Sequence, residues 1–93
     1  MPPRYTKYQR YFEEIMSWNW LEIRAEAEAL PPCRYIGSPA DILPSGTNPL
    51  ERRSGRFTKD DEVFLKALKD AAHEHRMVVD IDFSYNDVYL CLE

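Results

Sequence analysis

The seventeen residues from Met77 to Glu93, MVVDIDFSYNDVYLCLE, alternate apolar and polar side chains on both sides of Asn86-Asp87. That pair suits the centre of a tight hairpin turn, because both residues tolerate positive φ. A two-residue turn there predicts Tyr85 opposite Val88, Phe83 opposite Leu90 and Ile81 opposite Leu92. One face is then Ile81, Phe83, Tyr85, Val88, Leu90 and Leu92. The other is Asp80, Asp82, Ser84, Tyr89, Cys91 and Glu93. A slip by one residue would mix the two sets, so alternation selects the faces strongly. An oily ribbon of this kind must be covered by something, and the rest of the chain has to supply the cover.

The chain has 93 residues, enough for one domain. A chain of that size buries roughly two-thirds of its unfolded surface, which makes one modest core. Hydrophobic residues are 44% of the total and the formal net charge is -4, which argues against a general nucleic-acid binder. No apolar run approaches the ~20 residues of a membrane span. The start, MPPRYTKYQRYF, lacks the apolar core of a signal peptide, so a cytoplasmic location is expected. Cys33 and Cys91 make neither a disulfide framework nor a zinc site. They read as two reduced thiols, with a bridge from the middle segment to the last strand as the alternative.

Four stretches follow from periodicity and punctuation. Residues 5–30 are helical, either one bent helix or two. Tyr8, Phe12, Ile15 and Met16 form a first apolar stripe, and Trp20, Ile23, Ala27 and Leu30 a second. Asn19 is an expected N-cap with Glu22 three residues on. Pro31-Pro32 ends the helix. Residues 31–57 are irregular, with a short strand at 33–36 and a one-turn helix opened by Ser38-Pro39. Residues 59–75 form a helix capped by Thr58 and Asp61, with Phe64, Leu65, Leu68, Ala71 and Ala72 inward. The hairpin at 77–93 closes the chain. The predicted class is α+β, with two or three helices packed on one face of a small antiparallel sheet that contains the C-terminal hairpin. A strand at 33–36 would add to one edge of that hairpin.

Chemistry-bearing groups are sparse. Arg4, Tyr5, Lys7, Tyr8, Arg10 and Tyr11 interleave cations and rings, which suits a protein contact better than nucleic acid, because Tyr and Arg are favoured at binding hot spots. Arg52, Arg53, Arg56 and Lys59 form a second basic group without the spacing of a nucleotide-binding loop. Trp18 and Trp20 cannot share one helical face, so one of them is expected at the surface or at a helix break. Residues 60–93 hold nine acids against Lys66, Lys69 and Arg76, and Asp80 and Asp82 share a face. His73 and His75 point to different sides of a helix and make a poor metal pair. No zinc, dinucleotide, phosphate-cradle, Ser-His-Asp or Cys-His pattern is present, and no cofactor is expected.

These features predict a non-enzymatic protein-binding module. It would be a small regulator or inhibitor that occludes a partner protein, of a size and charge that suit a virus- or plasmid-encoded inhibitor. The expected contact residues are Tyr8, Tyr11, Trp18, Arg52, Arg53 and Arg56. The segment 88–93 is expected to be an edge strand, open to a partner strand or to a homodimer. One alternative is a nucleic-acid-binding domain of winged-helix-like order, opposed by Asp60, Asp61, Glu62, Asp70 and Glu74 on the helix that would enter the groove. The other is a small enzyme using Asp80, Asp82 and a histidine.

Overall fold

The computed structural model describes residues 7–46, 57–82 and 85–93. Within them the order is α1 (Lys7–Met16), α2 (Trp20–Ala29), β1 (Cys33–Gly37), α3 (Pro39–Ile42), α4 (Lys59–Glu74), β2 (Met77–Asp82) and β3 (Asp87–Leu92). The strands form one antiparallel sheet in the order β1-β3-β2. The helices pack on one face of it, so the α+β class read from the patterning holds.

Local chemistry sets the helix ends. The helical stretch at 5–30 divides in two, because the α1 backbone closes at Ser17, whose N–H donates to Glu13 O and Glu14 O. Asn19 then opens α2: its Oδ1 accepts from Glu22 N–H at 3.1 Å and its Nδ2 donates to Glu22 Oε2 at 3.0 Å. In α4, Thr58 Oγ1 accepts from Asp61 N–H at 3.1 Å, and Thr58 N–H donates back to the Asp61 carboxylate at 3.3 Å. That carboxylate also accepts from Ser45 N–H at 3.0 Å and Ser45 O–H at 2.9 Å. Asp61 is only 1% exposed, so it is not one of the outward acids of α4. A buried carboxylate is tolerable only with such partners. Here they tie Ser45 and Thr58 to one side chain.

The core lies between the helices and the inner sheet face. Ala27, Leu68, Ala72 and Leu90 are 0% exposed, and Ile15, Phe64 and Met77 are 1% exposed. Burying a large aliphatic or aromatic side chain contributes about 1.5–3 kcal/mol, so this cluster dominates folding. The α1 stripe is rotated from the predicted one. Tyr11 packs edge-on against Phe64 at 5.7 Å and Ile15 is buried, while Met16 is 77% exposed. Leu30 likewise lies past the end of α2 and is exposed.

The hairpin corrects three expectations. Its pairs are Met77–Leu92, Val79–Leu90, Ile81–Val88 and Asp82–Asp87, so β2 has slid four residues along β3 from the predicted pairing. An even slide keeps Ile81 on the side of Val88, Leu90 and Leu92, and Asp80 and Asp82 on the side of Tyr89 and Cys91. It also brings Met77 and Val79 into the ladder against Leu92 and Leu90. The reversal follows Asp82, whose Oδ1 accepts from Tyr85 N–H at 3.2 Å, and Asn86 takes positive φ at 59°. Tyr85 is therefore in the turn and exposed, not on the oily face. Phe83 and Ser84 lie outside the described residues.

Second, the C-terminal strand is not an edge. β1 pairs with β3 on the side away from β2, so β3 is central and cannot accept a further strand. A homodimer through that strand is thereby excluded. Third, the two cysteines are not reduced thiols. Cys33 and Cys91 are direct partners across β1 and β3 and form a disulfide.

Candidate functional site

The contact residues predicted from the sequence divide into two groups. Arg52, Arg53 and Arg56 lie outside the described residues. Tyr8, Tyr11 and Trp18 are half-buried. The rings of Tyr8 and Tyr11 stand 6.1 Å apart, and Tyr11 reaches Phe64 in the core. Trp18 occupies the break between α1 and α2 and stacks on Trp20 at 5.8 Å. Trp20 in turn stacks on His75 at 5.0 Å, and its Nε1–H donates to Ile15 O at 2.9 Å. Arg24 Nη1 donates to the carbonyls of His75 and Arg76. This aromatic group joins α1, α2 and the end of α4, and much of its ring surface is spent inside the molecule.

Between α1 and α4 runs a shallow apolar groove. Phe12, Met16, Val63, Ala67 and Ala71 line it, and Lys66 and Asp70 flank it. Lys66 and Asp70 pair with each other at 3.2 Å. The rim therefore carries both signs of charge and does not select a partner by charge.

The outward face of the sheet is more distinctive. Side chains alternate across a strand, so with Val88 and Leu90 inside, Asp87, Tyr89 and Cys91 face out. Their neighbours in the ladder are Tyr35 and Cys33 on β1 and Val78, Asp80 and Asp82 on β2. The rings of Tyr35 and Tyr89 meet edge to face at 5.7 Å. Tyr89 O–H donates to Asp87 Oδ2 at 3.2 Å. The Tyr89 phenol is raised above its ordinary pKa, first by loss of hydration, then by the Asp87 hydrogen bond and the charges of Asp87 and Asp82. The end of α2 borders this face, where Ala29 and Leu30 line a depression with Cys33, Tyr35 and Tyr89.

Its chemistry suits recognition. Three carboxylates, two phenols and a partly exposed valine can take cations and planar groups. Among the described residues no group of three or more His, Cys, Asp and Glu is placed to hold a metal. The histidines belong to the other side of the sheet: His73 pairs with Glu93 at 3.2 Å and His75 stacks on Trp20. Asp80 faces Tyr89 across the ladder, not Glu93 as the predicted pairing had it. No helix among the described residues is long and apolar enough to cross a membrane.

Val78, Tyr35 and the free side of β2 are absent from the sequence-based site. Alternation marks Asp80 and Asp82 as outward, but which strand ends the sheet depends on β1, more than forty residues away in the chain. No protein-family model, curated protein or solved structure matches the chain.

Proposed function

We propose that the chain is a non-enzymatic protein-binding module, a small regulator or inhibitor that acts by occluding a partner protein. The observation that carries this reading is the outward sheet face, with Tyr35, Tyr89 and the exposed Val78 set among Asp80, Asp82 and Asp87. Aromatic side chains held by a rigid sheet lose little freedom on binding, and the carboxylates give orientation and selectivity. The Cys33–Cys91 bridge favours an oxidising compartment over the reducing cytoplasm expected from the sequence. Affinity capture with wild type and a Tyr35→Ala/Tyr89→Ala variant tests the reading. A discrete protein held by the wild type and lost by the variant is expected. Recovery of no specific protein, or equal recovery by both, contradicts it.

One observation favours a second reading. Helix α4 is followed at once by the β2–β3 hairpin, the order of a winged-helix domain, and Asp61 is removed from the acids that oppose groove entry. Glu62, Asp70 and Glu74 still alternate with Lys59, Lys66 and Lys69 on the exposed side of α4. Duplex binding that falls steeply with added salt would establish this reading in place of the first.

A further inference from the structure

We propose that the outer side of β2 binds an extended peptide as a fourth strand. The peptide carries Lys or Arg at alternate positions facing Asp80 and Asp82, with apolar side chains between them entering the groove beside α4. The proposal rests on the protein-binding reading above and names its partner chemistry.

The two sides of the sheet differ as hosts. β1 ends one side, and it is blunted: its register shifts between Tyr35 and Gly37, and Pro31, Pro32 and Pro39 flank it. Bulges and prolines are how edges are closed to further pairing. β2 ends the other side. It pairs with β3 residue for residue over all of Met77–Asp82, with neither bulge nor proline. Among the described residues no strand lies beyond it.

The side chains along that edge choose the occupant. On the outward face the side chain of Asp80 is exposed and makes no ion pair or hydrogen bond with the described residues, and Asp82 stands two positions on. Along the β2 edge a groove beside α4 is lined by Lys69, His73, Met77, Val78 and Val79. The groove is an open depression of about 230 Å³, which leaves room for an added side chain. An added strand presents alternate residues to these two environments: cations above, apolar groups below. A second copy of the chain fits less well. Antiparallel self-pairing centred on Asp80 or Ile81 sets Asp80 against Asp80 or Asp82 of the other copy, and like charges directly opposite destabilise a ladder.

The test is a titration of isotope-labelled full-length protein with a blocked octapeptide of alternating Lys and Val, read by amide chemical shifts. Saturable shifts are expected along Met77–Asp82 and at Lys69 and His73. Asp80→Lys, or an octapeptide of alternating Glu and Val, should weaken binding about tenfold. A Lys-Val peptide methylated on alternate backbone nitrogens should lose most of its affinity, because ladder bonds are removed. Shifts centred elsewhere, indifference to Asp80→Lys, full binding by the methylated peptide, a β2-paired dimer of the protein alone, or no shift at millimolar peptide would each overturn the proposal. A captured protein partner that Asp80→Lys retains and Tyr35→Ala/Tyr89→Ala loses would sink the fourth strand while leaving the module reading intact.

Discussion

The two sides of the sheet are finished in opposite ways. On one side β1 is short, bulged, bounded by prolines and tied to the central strand by the Cys33–Cys91 bridge. On the other, β2 is regular, paired with β3 through its ladder and packed on α4. The contrast shows how a chain of this size divides its labour. One edge is closed by covalent and conformational devices that protect the fold. The other has no further strand among the described residues, and Asp80 and Asp82 guard it against self-pairing. Acids placed in this way exclude unsuitable strands as much as they attract suitable ones.

The largest effect should come from opening the closed side. Cys33 and Cys91 are 58 residues apart in sequence, and in the chain-entropy account a bridge of that span stabilises by about 4 kcal/mol. Replacing both cysteines with Ala should lower the denaturant midpoint accordingly, with the first loss of amide protection in β1. Next comes the strand shared by both sides. Leu90 is 0% exposed, so Leu90→Ala should cost about 3 kcal/mol and loosen both ladders together. Asp80→Lys on the open side should change stability by no more than about 0.5 kcal/mol, because an exposed side chain without partners is being exchanged. A large loss there would mean that the edge is covered.

The smallest effect concerns Tyr89, between the two sides. Its pKa lies above the ordinary 10.0, so the folded state favours the neutral phenol. The stabilisation is present below pH 10 and is lost as pH rises through the higher folded value. A difference titration of wild type against Tyr89→Phe should place this phenol's midpoint above 10. A midpoint at or below 10 would contradict the loss of hydration and the Asp87 hydrogen bond assigned to it.

The legible parts of this fold are those decided by nearby residues. Asn19 with Glu22, Ser38 with Pro39, and Thr58 with Asp61 are capping chemistry within four positions, and each opens the helix expected of it. The hairpin faces were legible for the same reason, because a period of two needs only its own strand. Register was not, since sliding β2 by four residues keeps the facing of the paired residues while it changes every partner and takes Tyr85 into the turn. The turn was decided by Asp82 reaching Tyr85 N–H, a choice that alternation does not encode. The position of β3 in the sheet, and with it the disulfide, depends on where the distant Cys33 docks. On α1, Tyr11 and Phe12 are one residue apart, and spacing alone cannot say which of the two faces Phe64. Of the site, Asp80 and Asp82 were legible as outward, but their place on a free edge was not.

The claim on which the rest depends is that β3 is flanked on both sides, leaving β2 outermost. Native-state hydrogen exchange followed residue by residue measures this directly, because every amide of a central strand is bonded and only alternate amides of an outer strand are. Consecutive slow exchange at Tyr89, Leu90 and Cys91, with fast and slow amides alternating along Met77–Asp82, is the predicted result. Alternation in 89–91 with unbroken protection in β2 would contradict it.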